Sequence, residues 1–142
     1  MRKPIVYALA AAALSMGAFA LGRSHAMPNP ADRVFEMRTY YAAPGKLDAL
    51  QARFRDHTVG LFKKHGMTSI GYWTPRDDEN GKGTKLVYIL AYPDKAAAEK
   101  AWAAFRADPE WIAAKEASEK DGKLVEKVES VFLDPTDYSA IR

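Results

Sequence analysis

From Val34 to Tyr41 the chain is rich in β-branched and aromatic residues and changes character at each step, which predicts a strand. Successive strand side chains point to opposite faces, so Phe35, Met37 and Thr39 share one side and Glu36, Arg38 and Tyr40 the other. The Phe35 side has the character of ordinary core. After Pro44 and Gly45, the residues Leu47, Leu50, Phe54, His57 and Leu61 recur at helical intervals, one stripe of a helix running to about His65 and stopped by Gly66. His57 thereby falls in an apolar row, and Arg53, Arg55, Lys63 and Lys64 fall on the solvated flank. Met67 to Thr74 and Thr84 to Tyr92 predict two further strands, joined as a hairpin through the polar, Gly-containing tip Arg76 to Gly83. In the later strand Leu86, Tyr88, Leu90 and Tyr92 occupy one face and Val87, Ile89 and Ala91 the other; a strand apolar on both faces is central in its sheet. Asp94 caps a helix from Lys95 to about Ala107 that turns Ala98, Ala101, Trp102 and Phe105 inward. Asp108 and Pro109 then start a second short helix, ended by Gly122. Leu124 to Leu133 is the last strand, and its Glu126, Lys127 and Glu129 suit a sheet edge.

The order β, α, β, β, α, β predicts an α+β fold of the ferredoxin-like βαββαβ kind, a four-stranded antiparallel sheet with its helices on one face. Helices on one side leave the other side of an apolar central strand uncovered. The simplest cover is a second copy of the sheet about a two-fold axis, because no internal repeat within the chain supplies one.

Ahead of this domain stand Arg2 and Lys3, an apolar run from Pro4 to Leu21 and the small-residue exit Ser24-His25-Ala26, the layout of an export signal. The expected organisation is therefore a signal peptide over 1–26, a Pro-rich linker over 27–32 and one domain over 33–142, with a periplasmic or secreted location; the competing reading keeps the leader as an anchor. The formal charge of +3 belongs to that leader. Cleavage after Ala26 removes three cations and no acid, leaving basic side chains equal in number to the 18 acidic ones. Neither nucleic acid nor, once the leader is gone, a membrane is an expected partner. The absence of cysteine excludes a disulfide framework, a thiolate nucleophile and an iron–sulfur cluster.

The run Phe35-Glu36-Met37-Arg38-Thr39-Tyr40 followed by Pro44-Gly45-Lys46-Leu47 resembles the opening signature of NIPSNAP-domain proteins. Gly71-Tyr72-Trp73, the Trp111 after Asp108-Pro109, and the closing Phe132-Leu133-Asp134-Pro135-Thr136-Asp137-Tyr138-Ser139 agree with it. Met37 stands where Leu is usual, and the hairpin tip is more acidic than the family pattern. The resemblance implies a dimeric α+β barrel, from a superfamily that includes cofactor-independent monooxygenases and haem-handling proteins. It brings no catalytic residues with it.

Candidate chemistry is sparse. His57 on an apolar stripe is the candidate general base or ligand contact, against the plainer reading of a half-buried, hydrogen-bonded histidine. His65 lies eight residues on, about 12 Å along the axis, so the two cannot share a metal, and no metal site or cofactor is expected. Arg38 is suited to grip a carboxylate, with Tyr40, Tyr72 and Trp73 as an aromatic wall; the competing reading makes Glu36 and Arg38 an ion pair that fixes the register of a dimer. The acidic run Asp77 to Asn80 lacks the ligand spacing of a calcium loop and is expected to be a solvated tip. These features favour a homodimeric small-molecule-binding or protein-interaction module with a small apolar or aromatic ligand. Two alternatives stand beside it: a cofactor-independent monooxygenase or isomerase for an aromatic or polyketide-like substrate, and a haem or tetrapyrrole binder.

Overall fold

The computed structural model describes residues 33–142; the expected signal peptide and linker lie outside the described residues. Four strands, β1 (Val34–Ala42), β2 (Thr68–Trp73), β3 (Lys85–Tyr92) and β4 (Val125–Leu133), form one antiparallel sheet in the order β2-β3-β1-β4. With the helical segments between β1 and β2 and between β3 and β4, this is the ferredoxin-like βαββαβ arrangement. The first helical segment comprises α1 (Leu47–Arg53), a π-helical turn (Phe54–Thr58) and α2 (Val59–Lys64), and the second comprises α3 (Lys95–Ala107) and α4 (Pro109–Ser118). Gly66 stops α2 with a φ of 75°, a conformation open to glycine and strained for a side chain. Asp94 and Asp108 cap α3 and α4 by accepting from the N–H groups of Ala97 and Glu110.

The core lies between the helices and one face of the sheet. Leu50, Phe62, Tyr88, Leu90 and Ala98 are fully buried, with Phe54, Trp102 and Phe105 wedged among them. The rings meet mostly edge to face: Phe54 on Tyr40 and Tyr88, Phe62 on Trp102, and Trp102 on Phe105.

Pairing decides which side of β1 this core uses, and it reverses the sequence expectation. Glu36 sits opposite Leu90, Arg38 opposite Tyr88 and Tyr40 opposite Leu86, on the large-residue face of β3 beneath the helices. Phe35, Met37 and Thr39 belong to the other, open face, with Val87 and Ile89 of β3, Val131 and Leu133 of β4, and Trp73 of β2. Val131, Leu133 and Trp73 remain exposed there. Part of the cover comes from the chain itself, though not from a repeat. The C-terminal tail after Leu133 folds back over one end of the open face and, with Phe35, Ile70, Ile89 and Leu133, one side chain from each strand, lines an open pocket of about 290 Å³. Its roof is built from Pro135, Thr136, Ser139 and Ile141.

The second correction concerns helix phase. In the π turn the N–H of Val59 bonds to the carbonyl of Phe54, five residues back, so one residue more than an α turn holds is fitted in. Thr58 takes the buried place after Phe54, its hydroxyl donating to the carbonyl of Arg53, and His57 is turned outward to an exposed position. Arg53, expected on the solvated flank, is buried: it donates to Ser118 and Glu119 at the end of α4 and lies over the Trp111 ring.

Candidate functional site

The most elaborate polar arrangement among the described residues lies inside the helix-facing layer, around Glu36. Its carboxylate, 2% exposed, accepts from Arg38 Nη1 at 2.8 Å and Ser130 Oγ at 2.6 Å on one oxygen, and from Tyr92 OH at 2.8 Å and Trp102 Nε1 at 2.7 Å on the other. A carboxylate has about four lone-pair positions, so four donors saturate it. Burial opposes its ionisation, but the bonds from Ser130 and Trp102, the Arg38 charge and the Tyr92 hydroxyl outweigh burial and hold its pKa below the ordinary glutamate value. Burial and the adjoining carboxylate push the Tyr92 phenol well above its ordinary range.

Arg38 is placed by this anchor. Its guanidinium carbon lies 4.1 Å from the centre of the Trp102 ring and 5.8 Å from that of Tyr40. Its Nε is buried without a partner, and so is the hydroxyl of Tyr88, a fully buried residue whose ring centre is 5.3 Å from that of Tyr40. Burial, with the Tyr40 phenol beside it, raises the Tyr88 pKa well above the ordinary tyrosine value.

The residues expected to share one site are dispersed. Arg38, Tyr40 and Tyr72 lie on the helix side of the sheet, and Trp73 on the open side, its indole laid across Gly71. Tyr72 lines a cleft of about 200 Å³ at the β2 edge with Phe54, Val59 and Leu86. His57 lines a groove of about 590 Å³ on the outer helix surface, between the π turn and α4, where Lys64, Glu110 and Ala114 are its neighbours. A base there does not face the sheet, and neither does a haem ligand. Glu36 and Arg38 are indeed ion-paired, at 2.8 Å, but beneath their own helices, where they cannot meet a second sheet.

The sequence reading overlooked the partners. Tyr92, Trp102 and Ser130 complete the Glu36 cage, and the available signal was a glutamate in a strand opposite a row of large residues, a position only heavily hydrogen-bonded carboxylates tolerate. It also overlooked the Asp108 clamp, where His65 Nε2 at 2.6 Å and Lys64 Nζ at 2.9 Å reach the carboxylate at the α3–α4 junction. Those bonds, Lys64 first, pull the Asp108 pKa well below the ordinary aspartate range.

Residues 35–140 match the sequence model of the NIPSNAP family. A NIPSNAP family protein of Agrobacterium tumefaciens superposes with a TM-score of 0.68 at 23% identity, over 80% of this chain and 97% of that one. A NIPSNAP domain protein of Burkholderia xenovorans does so with a TM-score of 0.62 at 27% identity, over 75% of this chain and 97% of that one. SnoaB, a cofactor-independent oxygenase from Streptomyces nogalater, shares the fold at a TM-score of 0.52 and 16% identity, over 77% of this chain and 98% of its own. No curated protein matches the chain.

Proposed function

The chain belongs to the NIPSNAP family, and from that premise we propose that it works as an exported homodimer that binds small molecules, two copies burying their open sheet faces against each other. The observation that carries this reading is the open face itself. Met37, Val87, Ile89, Val131 and Trp73 form an apolar surface spanning the sheet, and the C-terminal tail roofs only its Phe35 end. Contiguous apolar surface of this kind is costly to leave in water and marks an interaction site. At the opposite end Tyr41 donates to Glu129, which also receives Lys127, and Lys85 lies over the Tyr41 ring. That polar end supplies the register that Glu36 and Arg38, being under the helices, do not. The leader over 1–26 supports export. The oxygenase reading lacks its base, because His57 faces away from the sheet.

Size-exclusion chromatography with light scattering on the chain from Met27 is expected to give the mass of a dimer at micromolar concentration. Val131→Asp is expected to give a folded monomer with unchanged far-UV circular dichroism. A monomeric wild-type chain overturns the dimer. A thermal-shift screen against hydrophobic carboxylates, quinones and tetrapyrroles tests the binding function, since a selective ligand raises the melting temperature by mass action.

A further inference from the structure

Two irregular elements meet at the β2 edge of the helix layer. The π turn holds one residue more than an α turn, which brings Val59 into line with Gln51 and Arg55, where a regular helix would set Thr58. Within β2 the register shifts between Ser69 and Gly71, so Ser69 and Tyr72, three residues apart, both come to the helix side, opposite Leu90 and Tyr88. Regular alternation would put them on opposite faces. Their hydroxyls bond at 2.6 Å and fix the Tyr72 ring, which stacks on Tyr88 with centres 5.7 Å apart and meets Phe54 edge-on at 6.0 Å.

Between these elements lies the cleft of about 200 Å³, with Phe54, Val59, Tyr72 and Leu86 as its apolar walls and Gln51 and Arg55 as its polar lining. An apolar cavity of about 150 Å³ takes up benzene, so the cleft has room for one ring with a small substituent. The rings of Phe54 and Tyr72 offer both an edge and a face to an aromatic guest. Among the described residues no acidic side chain lines the cleft, and Arg55 forms no ion pair. A guanidinium at the rim of an apolar cleft selects anions over amines, and one cation beside one amide matches a carboxylate in charge and in acceptor positions.

We propose that this cleft binds a single-ring aromatic monocarboxylate, its ring against Phe54 and Tyr72 and its carboxylate on Arg55 and Gln51. The site deepens the small-molecule-binding reading and rests on it, but does not depend on the dimer. It gives the two irregularities one purpose: the π turn brings Arg55 and Val59 to the cleft, and the β2 bulge lets Ser69 hold Tyr72 as its wall.

The test is an NMR titration of the full mature chain with benzoate, followed at the methyl signals of Val59 and Leu86, with benzyl alcohol and acetate as controls, for wild type and Arg55→Gln. Benzoate is expected to shift the signals of both residues saturably, with benzyl alcohol and acetate each at least threefold weaker. Arg55→Gln is expected to weaken benzoate about threefold to tenfold, the modest effect of an exposed charge, and to leave both benzyl alcohol and the melting temperature unchanged. Benzoate that leaves the Val59 and Leu86 signals in place overturns the proposal. So does benzyl alcohol binding as tightly as benzoate, or an Arg55→Gln variant that binds benzoate as the wild type does. Each of these results leaves the wider binding function standing if the thermal-shift screen still finds a ligand; a screen with no response across all three classes, with benzoate silent as well, removes both.

Discussion

On the helix side of the sheet a carboxylate and a guanidinium lie among buried aromatic rings, while on the open side Met37, Val87, Val131 and Trp73 line a surface of which the described residues cover only one end. Hydrophobicity alone sorts these faces the wrong way round. What places Glu36 inside is its four donors, each contributed by a different residue of the layer, so that desolvation of the charge is offset bond by bond. Among the described residues the open face has no such internal solution. The helix side is thus defined by polar satisfaction and the open side by unmet burial, and substitutions on the two are expected to read out differently: as loss of fold on one, as loss of association on the other.

The largest effect is expected from Glu36→Gln. The amide keeps the shape but removes the charge that balances Arg38 and turns an N–H₂ toward donors. A loss of about 3–5 kcal/mol, the usual cost of breaking a buried pair from one side, is expected in urea unfolding at neutral pH. Because the folded pKa of Glu36 is lowered, its contribution is complete above the ordinary glutamate range and is lost as the pH falls through that range toward the folded value. Wild-type stability should therefore fall as the pH drops below the ordinary glutamate range, and less steeply in the variant. A loss below about 1 kcal/mol would show that the cage is ornamental and that the two faces do not differ in the way described.

An intermediate effect is expected at Gly71 on the open face. A Cβ there would lie 2.5 Å from the Trp73 indole, too close to coexist. The indole is half exposed and free to swing away, so Gly71→Ala should cost less than about 1 kcal/mol, short of the roughly 1–3 kcal/mol of an overpacked core. Trp73 is among the apolar side chains of the open face, so the same substitution should weaken self-association, measured by light scattering across a dilution series. A large loss of stability with association intact would mean that Trp73 serves the subunit and not the contact.

How much of this was legible in the sequence follows the same division. Periodicity gave the strands, the caps Asp94 and Asp108, the stop at Gly66 and the edge character of β4, because these depend on neighbours along the chain. The side of β1 used for the core was not legible, since alternation separates two faces without saying which one β3 will turn toward the helices. The pairing of Arg38 with Tyr88 settles that, and it is a long-range fact. The Glu36 cage was half legible: the ion pair with Arg38 is two residues away, whereas Tyr92, Trp102 and Ser130 arrive from three other elements.

The smallest effect is expected at His57, and its smallness is informative. Counting by α-helical turns puts His57 on the stripe of Leu50, Phe54 and Leu61, where truncation to alanine would leave a cavity. The π turn advances the count by one, so that Thr58 is buried and its hydroxyl donates to the Arg53 carbonyl while His57 faces water beside Lys64 and Glu110. His57→Ala should then change stability by less than about 0.5 kcal/mol, as at any exposed site. Thr58→Val keeps the volume but removes the hydroxyl, and should cost about 1 kcal/mol, the worth of an ordinary internal hydrogen bond. Urea midpoints for the two single variants and the double decide the matter. A His57→Ala loss exceeding that of Thr58→Val would place the imidazole back on the stripe and restore it as the base the sequence suggested.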